Sequence, residues 1–93
     1  MYDVKWERTA FDKWIDIWAW KRREQAWVVA VLQVKDSVDH SLQVDPLKFG
    51  KPYSADLYVG IAPLHYPAAP FKLKVYFRIE NQRVTITNVG LTI

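Results

Sequence analysis

From Phe71 to Glu80 apolar and polar residues alternate without a break, with Phe71, Leu73, Val75, Phe77 and Ile79 on one side and Lys72, Lys74, Tyr76, Arg78 and Glu80 on the other. A period of two with one apolar side predicts a β-strand that buries one face. Tyr2, Val4 and Trp6 alternate with Asp3 and Lys5 and predict a short first strand. A helix can start at Glu7 or Thr9, because Ala10, Phe11, Trp14, Ile15, Ile17 and Trp18 then form one apolar stripe with Asp12, Lys13 and Asp16 facing away. Lys21, Arg22 and Arg23 break that period and suit a helix C-terminus followed by a turn. Trp27, Val31, Val34, Val38 and Leu42 then recur at helical steps, over a length that no ordinary strand reaches, and Asp45 and Pro46 end this second helix.

After the helices the chain returns to strand patterns. Leu47 to Ala55, with a glycine, a proline and two lysines, reads as a connecting loop. Leu57, Val59 and Ile61 alternate with Tyr58 and Gly60 as a second strand, and Ala62 to Pro70, with three prolines, reads as a stiff irregular connection. Asn81 and Gln82 form the turn after the third strand, which pairs Ile79 with Val84 and Phe77 with Ile86 across a hairpin. The closing apolar set Val89, Leu91 and Ile93 is out of phase by one residue, which predicts a bulge near Asn88. The fold class is therefore α+β, in the order β-α-α-β-β-β, with an αα-hairpin on one face of an antiparallel sheet.

At 93 residues the chain predicts one domain spanning residues 1–93, since a second core would need about 50 more. Cysteine is absent and the two histidines, His40 and His65, are too few for the usual zinc sites, so neither disulfides nor a metal nor another cofactor is expected. The N-terminal residues have no signal-like apolar run and no segment suits a membrane span, which points to the cytoplasm and away from a membrane partner. Residues 1–45 hold seven Lys/Arg against eight Asp/Glu, a charge of −1, whereas residues 46–93 hold six against two, a charge of +4. Basic character concentrated in one half hints at an anionic partner.

The polar side of the Phe71 to Glu80 strand is the leading candidate surface. Lys72, Lys74, Tyr76 and Arg78 stand about 7 Å apart, close to the phosphate spacing of an extended single strand. Cations on a solvated strand also simply keep a sheet soluble and discourage edge pairing. If the anionic partner is RNA and the chain cuts it, as the family resemblance described below implies, cleavage at a 2′-hydroxyl needs a base, an acid and cations for the charge that develops. Lys74 and Arg78 supply charge, Tyr76 can stack or move a proton, and His65 is a candidate acid or base in the loop leading into the strand; Lys72, Lys48, Lys51 and Tyr66 are candidate RNA contacts, with Tyr53 beside the loop lysines. Trp14, Trp18 and Trp27 read as core. Trp20 lies off the stripe and can anchor a partner helix, and Lys21 to Arg23 read as a solvated turn or an RNA contact.

Several short stretches, taken in order, resemble the RelE/ParE toxin superfamily of bacterial toxin–antitoxin systems over nearly the whole chain. Tyr2-Asp3-Val4-Lys5-Trp6 with Ala10 resembles the opening strand and helix, Leu42 through Asp45-Pro46 with Gly50 resembles the following junction, and Val75-Tyr76-Phe77, Arg83-Val84 and Asn88-Val89-Gly90 resemble the last hairpin. The resemblance implies a cognate antitoxin as partner. Its leading implication is a RelE-like metal-independent interferase that inhibits translation by cleaving mRNA on the ribosome; the alternatives are a ParE-like toxin that inhibits DNA gyrase without nuclease chemistry and a toxin-fold domain that has lost toxicity. Lys74 stands at the family's arginine before the Val-Tyr pair. Tyr58 and Gly60 stand where paired sheet lysines are expected, Leu91 and Thr92 where basic residues are expected, and the C-terminal tyrosine of the cleaving members has no counterpart.

Overall fold

The computed structural model describes residues 1–66 and 70–93. The element order is β1 Asp3–Trp6, α1 Arg8–Trp20, α2 Gln25–Val44, α3 Pro46–Phe49, β2 Gly50–Ser54, β3 Leu57–Pro63, β4 Lys72–Glu80 and β5 Arg83–Thr92. One five-stranded sheet has the order β1-β5-β4-β3-β2. The α1–α2 hairpin covers one face, where Trp27, Val31, Val38 and Leu42 meet Leu73, Val75, Phe77, Val84, Ile86 and Val89 in a fully buried core. That is the mixed α+β arrangement the periodicities predict, and α2 occupies the stretch its heptad-like steps mark out.

The β4–β5 hairpin has the expected register: Ile79 pairs with Val84 and Phe77 with Ile86. Asn81 turns the chain at φ 55, a left-handed conformation that asparagine tolerates. Tyr76 pairs with Asn88 and Phe77 with Ile86, which leaves Thr87 as the extra residue of a bulge. The Thr87 hydroxyl donates to the Tyr76 carbonyl at 3.3 Å and fixes the kink.

Four features differ from the sequence reading. The Leu47 to Ala55 stretch is not a loop: Asp45 caps a short helix by accepting from the Lys48 amide at 3.2 Å, Pro46 sits at its first turn, and β2 follows as an edge strand. Pro52 is compatible with β2 because an edge strand needs no donor on its free side. β1 joins β5 in parallel, so the sheet is antiparallel from β2 to β5 and gains one parallel strand at its edge. β3 continues through Ala62 and Pro63, and the Leu64 amide donates to the Phe71 carbonyl at 3.0 Å, so the proline-rich connection begins later than its composition suggests. Its residues 67–69 lie outside the described residues.

The fourth difference is the orientation of β3. Tyr58, Gly60 and Ala62 face the helices, and the apolar set Leu57, Val59 and Ile61 faces away from them, in register with Arg78, Tyr76 and Lys74. Tyr58 stacks on Phe77 with ring centres 5.6 Å apart, and Gly60 leaves room for the Phe49 ring, which lies 6.1 Å from that of Phe77. Two bulky inward rings therefore require the small residue between them.

Candidate functional site

The outer sheet face, away from the helices, gathers most of the residues singled out above. Strand alternation puts Lys72, Lys74, Tyr76 and Arg78 of β4 on it, with every intervening residue up to Phe77 buried. Beside Tyr76 lie Val59 of β3 and Asn88 of β5, and beside Lys74 lie Ile61 and Gly90. Lys51 of β2 pairs with Val59 and extends this face to the sheet edge. Tyr53, at the irregularity in β2, meets Tyr76 edge to face at 5.2 Å. Tyr53, Tyr76, Leu57, Thr87 and Asn88 line an open notch of about 300 Å³. The Thr87 bulge sets Asn88 at its rim.

The charges are not equivalent. Arg78 donates from Nη2 to Oε2 of Glu7 at 3.3 Å, so its charge is already matched by a carboxylate at the start of α1. Its Nε is buried without a partner. Lys74 lies 5.9 Å from the Tyr76 ring centre and has no carboxylate partner among the described residues, and the same holds for Lys72 and Lys51. Ile61 is 52 % exposed between these lysines. The face is thus mixed, with three unpaired lysines around an apolar strip.

Other candidates stand elsewhere. Tyr66 packs edge to face on Trp27 at 5.2 Å and tilts against Phe71 at 6.0 Å, while its hydroxyl donates to Glu24. That hydrogen bond, then burial and the Glu24 charge, push the Tyr66 phenol above its ordinary value. Tyr66 is thereby tied to Glu24 and Trp27 at the start of α2. Lys48 lines a cleft with His40, Val44 and Phe49 at the end of α2, away from Lys51 and Tyr53, so the loop lysines do not form one groove. His65 is exposed on the connection after β3 and makes no side-chain hydrogen bond among the described residues. Tyr58 and Gly60 serve packing, which is why no lysines stand there.

The sequence reading missed Leu57, Val59, Ile61, Thr87 and Asn88 as members of the outer face. The phase shift at Asn88 was a usable signal for two of them. For β3 the signal pointed the other way, because alternation gives the faces of a strand but not which one is buried.

Among the described residues no three His, Asp or Glu side chains come together as a metal-ligand group, and no helix is long and apolar enough to cross a membrane. No protein-family model matches the sequence and no curated protein matches it. Two solved structures do. A chain of the chromosomal ParDE TA system from P. aeruginosa superposes with a TM-score of 0.69 at 20 % identity, covering 100 % of this chain and 98 % of the other. A chain of the intact E. coli RelBE toxin–antitoxin complex superposes with a TM-score of 0.59 at 14 % identity, covering 97 % and 95 %. With the helical hairpin on one five-stranded sheet and both chains covered almost end to end, the protein has a RelE/ParE-like fold.

Proposed function

We propose that this chain is the toxin of a type II toxin–antitoxin pair and acts in the cytoplasm by binding a protein target, in the manner of ParE, without nuclease chemistry. The observation that carries this reading is the outward set Leu57, Val59 and Ile61, flanked by Lys51, Lys72 and Lys74. An outward apolar strip, exposed at Ile61 and half-buried at Leu57 and Val59, with cations around it suits an acidic protein surface. RNA cleavage would need an acid, a base and several free cations converging on one phosphate. Here Arg78 is engaged by Glu7, Tyr66 is engaged by Glu24, and Lys48 lies in a different cleft. An antitoxin is the natural partner, since both matched structures are described as toxin–antitoxin systems. DNA gyrase is the target that the ParE resemblance implies.

A second reading keeps RelE-like cleavage of mRNA. Lys72, Lys74 and Tyr76 in a row, with Tyr53 against Tyr76, favour it, because such a row can hold a backbone and stack a base. Induced expression separates the two. Altered plasmid supercoiling with intact transcripts is the expected result, and cut transcripts with normal supercoiling would reject binding-only action. Normal growth on induction, with the folded protein present, would reject a toxin of either kind.

A further inference from the structure

The turn between α1 and α2 carries a feature that neither toxin reading uses. Trp20, the last residue of α1, is 58 % exposed, although its ring is fixed edge to face against Trp27 at 5.5 Å and Phe71 at 5.7 Å. Lys21 Nζ lies over the Trp20 ring, 4.8 Å from its centre. Arg22 and Arg23 follow, both exposed, and neither has a carboxylate within ion-pair distance among the described residues. The one nearby acid, Glu24, is taken by the Tyr66 hydroxyl and by Lys21 at 3.9 Å. The C-terminal end of α1 and the N-terminal end of α2 meet at this turn, so their dipoles offset each other and two arginine charges remain.

We propose that Trp20, Arg22 and Arg23 form a binding site for single-stranded nucleic acid, separate from the outer sheet face. An indole held rigidly by two neighbouring rings, yet more than half open, is a ready stacking platform, and stacking on it costs little side-chain freedom. Two forked guanidinium groups beside it match consecutive phosphates. Packing of Trp20 on Phe71 fixes the turn to the chain just before β4. An anionic membrane is the poorer fit, because Trp20 is the one exposed large apolar side chain at this turn and offers little area to insert.

The probe is a short fluorescein-labelled oligo-uridylate, titrated with the intact chain and followed by anisotropy over a series of salt concentrations. All variants carry Lys51→Ala, Lys72→Ala and Lys74→Ala, which takes the three unpaired lysines of the outer sheet face out of the signal. Trp20→Ala is expected to weaken binding about tenfold or more, and Trp20→Phe to recover most of it. Arg22→Ala with Arg23→Ala is expected to flatten the slope of log affinity against log salt by about 1.4, that is about 0.7 per lost phosphate contact. Thermal melts of each variant report whether the aromatic cluster persists. Unchanged affinity and slope in a folded Arg22→Ala, Arg23→Ala protein would overturn the site. Binding to vesicles of phosphatidylglycerol and phosphatidylcholine, but not to the oligonucleotide, would assign the turn to membranes and overturn it too. Growth arrest is not read here, so failure of the toxin reading leaves this result standing.

Discussion

A β-carbon at Gly60 would overlap the Phe49 ring, and one at Gly50 would lie 2.5 Å from Cζ of Phe77. Both glycines are buried on the inner side of the β2–β3 pair, where ring carbons take the place of side chains. Alanine at either position is expected to cost about 1 to 3 kcal/mol by overpacking. Alanine at Gly90, which would meet nothing within 4 Å, is expected to be nearly neutral, and denaturant titrations of the three variants give the comparison. Phe77→Ala removes the ring on which Phe49 and Tyr58 converge and should cost about 3 to 5 kcal/mol. Tyr66 adds a pH dependence. Its folded pKa is raised, so its contribution is fully present below the ordinary value of 10.0 and is lost as pH rises through the folded pKa. Above pH 10.0 the parent should therefore lose stability more steeply than Tyr66→Phe; parallel curves would show that the Glu24 bond does not form in solution.

Among the elements, the edge strand β1 is tied to the helices by one compact polar group. The Trp6 indole donates to Asp39 at 2.8 Å, Lys35 bridges to the same carboxylate at 3.1 Å, and the Lys35 ammonium lies 5.0 Å from the Trp6 ring and 5.7 Å from that of Trp14. Asp39→Ala would leave an indole N–H and a half-buried ammonium without their acceptor, at a cost of about 1 to 3 kcal/mol. Hydrogen exchange should show the loss first in β1, and uniform loss across the sheet would contradict a local tie. Nothing in the sequence marked this group, because its members lie on three elements and the parallel β1–β5 pairing that brings them together has no local signal. The elements that were legible, α2 and the β4–β5 hairpin, carry their own period and their own turn. Glycine and proline suit an edge strand as well as a loop, so composition does not mark β2, and alternation along β3 does not say which of its sides is buried.

At the scale of the molecule, the helices and the inner sheet face form the stable body, and the proposed function rests on the outer face. Neither of its two components can be judged alone. Unpaired lysines attract an acidic protein and an RNA backbone equally, whereas the apolar strip helps only the first. Ile61→Ser therefore discriminates between them, because it removes apolar area without changing the charge beside Lys74. The residue is 52 % exposed, so the substitution should shift the melting temperature by a few degrees at most. Loss of the apolar side chain in the middle of the strip should weaken growth arrest by a protein-binding toxin and leave arrest by an RNA-directed one unchanged. Lys72→Ala with Lys74→Ala should weaken arrest under either reading. Arg78→Ala is the poorer test, because it strands Glu7 and disturbs the start of α1 as well as the face. If folded Ile61→Ser still arrests growth like the parent while Lys72→Ala with Lys74→Ala does not, the apolar strip is incidental. The lysine row then acts on an anionic backbone, as an RNA-directed toxin requires.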